Sequence, residues 1–185
     1  MNPPQGSLGN LPNTLSIMRL VLIPAVVICL YFPGRLGSFL AAVFFALAAL
    51  TDLMDGFLAR RYRTVTPLGK ILDPLADKLL VSVTMIMLIT LERIPAWIVI
   101  LIIAREMLVT GLRGIAAVEG RVIEASSLGK YKTIFQSVSL ICLCLHYHYI
   151  KVDFHAVGMA FLWVALIFTL WSGFSYFRLA KKVFS

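Results

Sequence analysis

Residues 37–77 read GSFLAAVFFALAALTDLMDGFLARRYRTVTPLGKILDPLAD. An apolar run from Gly37 to Leu58 is long enough to cross a bilayer, a basic stretch with the turn signal Thr66-Pro67-Leu68-Gly69 interrupts it, and a second apolar run opens at Leu72. Two membrane helices joined by a short loop follow from that pattern. Four carboxylates, Asp52, Asp55, Asp73 and Asp77, are set into them. An unpartnered carboxylate is costly in lipid, so four in one helical hairpin call for positive charge among them, and a pair of divalent cations supplies it.

The rest of the chain has the same character. Mean hydropathy is +0.91 and only 14% of residues are charged, far from soluble norms, and 185 residues provide about six spans of roughly 20 residues. The apolar stretches are Leu15 to Phe32, Gly37 to Leu58, Leu72 to Leu91, Pro95 to Val118, Leu128 to Tyr149 and Val157 to Phe177. The expected fold class is all-α integral membrane, with six transmembrane helices in one domain over 13–185. A Pro- and Gly-rich lead-in over 1–12 is read as a short interfacial segment. The first stretch exceeds a signal-peptide core and no small-residue cleavage pattern follows Phe32, so it is expected to stay as a helix.

Lys and Arg set the orientation. With the N-terminus inside, Arg35, Arg93 and Lys151 fall outside and the other basic residues lie on inner halves or cytoplasmic ends, which puts both termini and the acidic site on the cytoplasmic side. Positive-inside bias absorbs most of the net charge of +8, which leaves no call for a nucleic-acid partner and a surplus that suits anionic lipid or a phosphorylated substrate. Cys29, Cys142 and Cys144 all fall in spans and form no disulfide framework. The run Cys142, Cys144, His146, His148 alternates, and alternate helical positions point about 200° apart, so it does not read as a metal cluster; His155 is taken with it as an interfacial imidazole.

Asp52 and Asp55 are three residues apart and Asp73 and Asp77 four apart, so each pair occupies one helical face. Two such clamps on antiparallel neighbours would meet near the inner surface, and hard oxygen donors suit Mg²⁺ or Mn²⁺. Gly56, Ala59 and Gly69 clear the helix faces beside them, Arg60 can meet a phosphate bidentately, and Thr66 offers a hydroxyl.

The pattern D-x-x-D-G-x-x-A-R over Asp52–Arg60, then G-x-x-x-D-x-x-x-D over Gly69–Asp77 after eight intervening residues, resembles the signature of the CDP-alcohol phosphotransferases, every defining position being filled. The resemblance implies a homodimeric membrane enzyme acting on a CDP-linked lipid. It implies Asp52, Asp55 and Asp73 as metal ligands and Asp77 as ligand and general base. Asn13, Asp52, Gly56, Ala59, Arg60, Thr66 and Gly69 would line the CDP-lipid site, and Arg19 could contribute to its nucleotide end or simply face the interface.

Arg105, Arg113, Lys130 and Lys132 look like a receptor for an anion, since Arg105 lies about ten residues into its span, too deep for simple anchoring. Glu106 is adjacent in sequence but points to another face, so no pair with Arg105 is assumed. The segments Pro12–Arg19, Arg105–Arg113 and Leu128–Thr133 are similar to those of bacterial phosphatidylglycerophosphate synthases, with Ser16 in place of a common threonine. This likeness implies sn-glycerol 3-phosphate as acceptor, CDP-diacylglycerol as donor, and the bacterial inner membrane as location. A cardiolipin synthase or phosphatidylserine synthase would share the acidic motif. An intramembrane prenyltransferase also holds diphosphate through aspartates but does not explain the Gly56, Ala59, Arg60 and Gly69 framework. An ion-coupled transporter would place acids across an internal repeat, which this chain lacks.

Overall fold

The structure, a computed structural model, describes residues 11–32, 34–62, 67–118, 127–149 and 151–184. Side chains are described outside 11–17, 52–62, 67–74, 117, 127–128, 130, 149, 177 and 179–184. Six helices account for nearly all of it: α1 (Leu11–Tyr31), α2 (Arg35–Tyr62), α3 (Pro67–Thr90), α4 (Ala96–Val118), α5 (Ser127–Leu145) and α6 (Phe154–Phe184). The helices correspond to the six apolar stretches, and several extend past them. Polar ends such as Arg60-Arg61-Tyr62 continue the hydrogen-bonded ladder because nothing in them breaks a helix.

The chain forms two compact units, Met1–Leu88 and Ile89–Ser185. In the first, α1 and α2 make a helical hairpin around Val26, Leu30, Ala41, Ala42 and Phe45, all buried. Gly37 allows the tight entry: a Cβ there would lie 2.5 Å from the Phe32 carbonyl oxygen and 2.6 Å from that of Cys29. Both obstacles are backbone, so only glycine fits. On α3 of this unit, Ala76, Leu80, Met85 and Leu88 are buried.

In the second unit α5 and α6 pack closely where Gly158 meets Leu143 and Cys142, and Ser139 Oγ donates to the Gly158 carbonyl at 2.8 Å. Further along, the rings of Phe135 and Phe168 stack at 5.6 Å, flanked by Phe161 and Tyr131. On α4, Ile98, Val99, Ile102 and Val109 are buried while Ile100, Leu101, Met107, Leu108 and Ile115 are exposed, so the helix is apolar on both its inner and outer faces. Large apolar side chains left open on an outer face in this way suit a lipid surround. The fold is thus all-α with the surface of a membrane protein. Among the described residues, one helical segment, Phe154–Tyr176, is by itself long and apolar enough to cross a bilayer. Met18–Tyr31, Arg35–Thr51 and Tyr131–Leu145 are shorter apolar segments.

The α5–α6 connection contains a feature absent from the sequence reading, a two-stranded antiparallel hairpin of β1 (His148–Tyr149) and β2 (Val152–Asp153), with Tyr149 opposite Val152. Lys151 turns it with φ of 65°. Asp153 then caps α6, its Oδ1 accepting from the backbone N–H groups of His155 at 3.0 Å and Ala156 at 3.2 Å. The Ala156 N–H bond foremost, helped by His148 and the second cap bond, holds the Asp153 carboxyl below the usual carboxylate range despite some desolvation. A group with a depressed folded value stabilises fully above its unfolded value and loses that contribution as pH falls through the folded one. The amide resonances of His155 and Ala156 are accordingly expected to titrate with a midpoint below that of a free aspartate; a midpoint at the ordinary value would mean that the cap does not form.

Arg93, assigned by the sequence to the outer side, has a structural task at the end of α5. It is 5% exposed and donates through Nη1 to the carbonyls of Leu143 at 3.2 Å and Cys144 at 2.8 Å. These are among the last carbonyls of α5, which lack partners within their own helix and carry the negative end of its dipole. Arg93→Leu is expected to lower stability by about 1.5 to 3 kcal/mol, the range for hydrogen bonds to a charged group. Denaturant unfolding of the solubilised protein, with Arg93→Lys as the partial-rescue control, measures the loss.

Candidate active site

In the first unit the two aspartate pairs lie on continuous helices, Asp52 and Asp55 on α2 and Asp73 and Asp77 on α3. Spacings of three and four on unbroken helix keep each pair on one face. Asp77 is half-buried, between buried Ala76 and an exposed Leu79 two residues on. The side chains of Asp52, Asp55 and Asp73, and of Asn13 on α1, Gly56, Ala59 and Arg60 on α2 and Gly69 on α3, lie outside the described residues, as does Thr66 altogether. The donor chemistry fits a small hard cation: every side chain of the set offers carboxylate oxygen, and both helices can present two at once. Arg19, which the sequence left free to face the interface, is instead completely buried on α1.

In the second unit the structure gathers a polar cluster inside apolar helices. Arg105 sits nine residues after the start of α4, about 14 Å along the axis at 1.5 Å per residue. Its Nη1 donates to Glu106 Oε1 at 2.9 Å and its Nη2 to Ser172 Oγ of α6 at 2.7 Å. Ser172 Oγ in turn donates to the Phe168 carbonyl at 2.7 Å. Lys132 Nζ, from α5, is bonded to the same Glu106 Oε1. Glu106 therefore faces Arg105 after all. The angle between consecutive helix positions separates their Cβ atoms, but two long side chains bend around it.

Tyr176 joins the group from α6. Its ring is buried against Val109 and Ala116 and carries the guanidinium carbons of Arg105 at 5.6 Å and Arg113 at 5.5 Å from its centroid. Gly173 leaves room for the Arg105 stem, since a Cβ there would come within 3.1 Å of Arg105 Cγ. Arg105, Arg113 and Lys132 are thus brought together, whereas the side chain of Lys130, on α5, lies outside the described residues. The buried Nε of Arg105 has no acceptor among the described residues. Cationic groups around one carboxylate, with a donor to spare, form a place that can take an anion.

Glu106, Ser172 and Tyr176 were not singled out in the sequence as part of this cluster. The sequence offers one signal for two of them: Ser172 and Tyr176 stand four positions apart on α6 and so share a helical face.

The profile of the CDP-alcohol phosphatidyltransferase family matches residues 9–171. Among curated proteins, the chain is 43% identical over 184 residues to the CDP-diacylglycerol--glycerol-3-phosphate 3-phosphatidyltransferase of Bacillus subtilis (strain 168), covering 91% of this chain and 93% of the relative. It is 41% identical over 176 residues to the protein of that name from Rickettsia bellii, covering 95% and 97%. A Shigella flexneri protein of the same name is 40% identical over 178 residues, covering 93% and 95%.

Proposed function

The chain belongs to the CDP-alcohol phosphatidyltransferase family, and on that footing we propose that it transfers the phosphatidyl group of CDP-diacylglycerol to sn-glycerol 3-phosphate, releasing CMP. The observation that carries the choice of acceptor is the cluster in which Arg105 and Lys132 share Glu106 while Arg105 and Arg113 share the Tyr176 ring. A neutral alcohol has no use for such a group of cations in apolar helices, whereas the phosphate of glycerol 3-phosphate does. The names carried by the relatives from three bacterial genera support the same acceptor.

The reading assigns each residue a task. Asp52, Asp55, Asp73 and Asp77 hold two divalent ions, Mg²⁺ or Mn²⁺, and such ions neutralise the diphosphate of the donor and polarise its phosphorus. Asn13, Gly56, Ala59, Arg60, Thr66 and Gly69 bind the CDP-lipid, the small residues admitting it close to the backbone and Arg60 meeting a phosphate oxygen. Arg105, Arg113, Lys130 and Lys132 bind the acceptor's phosphate and so orient its free hydroxyl. Asp77 accepts the hydroxyl proton as the oxygen attacks the phosphatidyl phosphorus; the bond from that phosphorus to the CMP oxygen breaks and CMP leaves with the electron pair. No covalent enzyme intermediate is needed.

The same reading takes 13–185 as one six-span domain with 1–12 lying at the interface. It sets both termini and the chemistry on the cytoplasmic side of a bacterial inner membrane, and the working unit is a homodimer. Purified protein given CDP-diacylglycerol and a panel of labelled alcohols tests it. Label entering lipid from glycerol 3-phosphate, with equimolar CMP, is the expected result; label entering from serine or phosphatidylglycerol instead would move the chain to another branch of the family.

A further inference from the structure

Thr84, on α3, behaves unlike other threonines of the chain. A threonine inside a helix ordinarily donates its hydroxyl back to the carbonyl four residues earlier, which satisfies the group where nothing else polar is near. Thr51, Thr110, Thr133 and Thr169 do so, at 2.7, 2.7, 3.1 and 2.6 Å. Thr84 does not. It is 1% exposed, and its Oγ1 has no hydrogen-bond partner among the described residues. A buried donor left unbonded is costly, and the Leu80 carbonyl, the partner that its own helix offers, goes unused.

Its place on α3 gives that hydroxyl a direction. Thr84 follows Asp73 by eleven residues and Asp77 by seven, so it stands within about 20° of each around the helix and about 10 Å beyond Asp77 along it. In the proposed orientation that is deeper in the bilayer. Leu80 is buried between them on this face, and Leu88 is buried one turn further on. Such apolar neighbours suit a water molecule poorly, since it needs about two to four polar partners. They suit a group that only accepts and is itself set in hydrocarbon. The acyl-ester carbonyl of a diacylglycerol lipid is such a group: it has lone pairs, no proton to give and a hydrocarbon chain attached, and it lies on the hydrocarbon side of the phosphate by the few bonds of the glycerol.

Resting on the reading in which the aspartates of α2 and α3 hold the donor's diphosphate, we propose that Thr84 is a specificity-determining residue for the donor: its hydroxyl donates to an acyl-ester carbonyl of CDP-diacylglycerol and so selects ester-linked lipid. The diphosphate at the aspartates and the carbonyl at Thr84 fix the donor at two points along one helix face, which orients the phosphorus to be attacked. An ether-linked lipid has no carbonyl at that point and leaves the hydroxyl unsatisfied, and a site built to bond a substrate group disfavours the analogue that lacks it.

The test compares two donors of equal chain length, CDP-diacylglycerol and its dialkyl ether analogue, with the full-length enzyme in mixed micelles and glycerol 3-phosphate as acceptor. The unaltered enzyme is expected to use the ester about two- to tenfold more efficiently, the worth of one neutral hydrogen bond. In Thr84→Val that advantage disappears because the ester loses while the ether does not; Thr84→Ser, which keeps the hydroxyl, retains it. The constant for glycerol 3-phosphate is the same in both variants. Equal use of the two donors by the unaltered enzyme would overturn the proposal, and so would an advantage that persists in Thr84→Val or a loss there that falls equally on both donors. Melting without substrate gives a second readout. Removing a hydroxyl that bonds nothing in the protein sacrifices no contact of its own, so Thr84→Val is expected to melt at or above the unaltered protein; a lower melting temperature would reveal an internal partner and overturn the proposal. Failure of the unaltered enzyme to transfer from either donor has a different signature and would remove the functional reading itself, and the proposal with it.

Discussion

Asp77→Asn is expected to lower turnover by about 10²- to 10⁴-fold, the usual contribution of a positioned general base, while CDP-diacylglycerol still binds. The amide keeps the size and one oxygen donor of the side chain but cannot take a proton from the acceptor hydroxyl, whose own pKa is far above neutrality. The half-buried position of Asp77 on α3 suits the task, since it is neither sealed from substrate nor free in water. The measurement is steady-state turnover together with donor binding, because a base lost from the transition state depresses kcat more than it weakens the donor complex. A near-normal rate would move the base to another residue. Exhaustive chelation is expected to abolish turnover in the unaltered enzyme and Mg²⁺ or Mn²⁺ to restore it, because four carboxylates beside a diphosphate repel it unless cations intervene. Undiminished activity after chelation would remove the divalent ions from the mechanism.

The helices were legible because six apolar stretches broken by Pro, Gly and charge leave little freedom for any other element. The reading of Asp52, Asp55, Asp73 and Asp77 as a site rests on the cost of carboxylates in apolar surroundings; the structure places them on α2 and α3 and describes the side chain of Asp77 among them. What escaped the sequence depends on contacts between helices. The Arg93 cap on α5 joins residues about fifty positions apart, and no periodicity announces such a bond. Glu106 was set aside because consecutive positions on a helix diverge by about 100°, an argument valid for Cβ atoms and not for the ends of an arginine and a glutamate. The β1–β2 hairpin was missed because its four residues are too few for alternation to register. His146, read as an interfacial imidazole, follows the last residue of α5 with φ of 58° and sets its ring edge-on to His155 at 5.0 Å.

The choice of acceptor rests on the basic residues, and Arg113→Gln separates a charged acceptor from a neutral one. Arg113 is half-buried on α4 with its guanidinium carbon 5.5 Å from the Tyr176 ring centroid, so the glutamine variant keeps much of the packing and loses the charge. A charge-assisted hydrogen bond contributes roughly 1.5 to 3 kcal/mol, a tenfold to hundredfold change in the efficiency with which glycerol 3-phosphate is used. The loss is expected to fall on the acceptor and to spare CDP-diacylglycerol, since in the proposed division of labour the donor is held by α2 and α3. Lys130→Gln should behave alike, with a smaller effect because a flexible ammonium contributes a point charge where a guanidinium contributes a fixed fork. Apparent constants for both substrates, measured in each variant after its melting behaviour has been matched to the unaltered protein, distinguish the outcomes. Equal losses for donor and acceptor would make these residues supports of the helix bundle. An unchanged constant for glycerol 3-phosphate would take the acceptor's phosphate away from α4 and leave Arg113 a packing role against Tyr176.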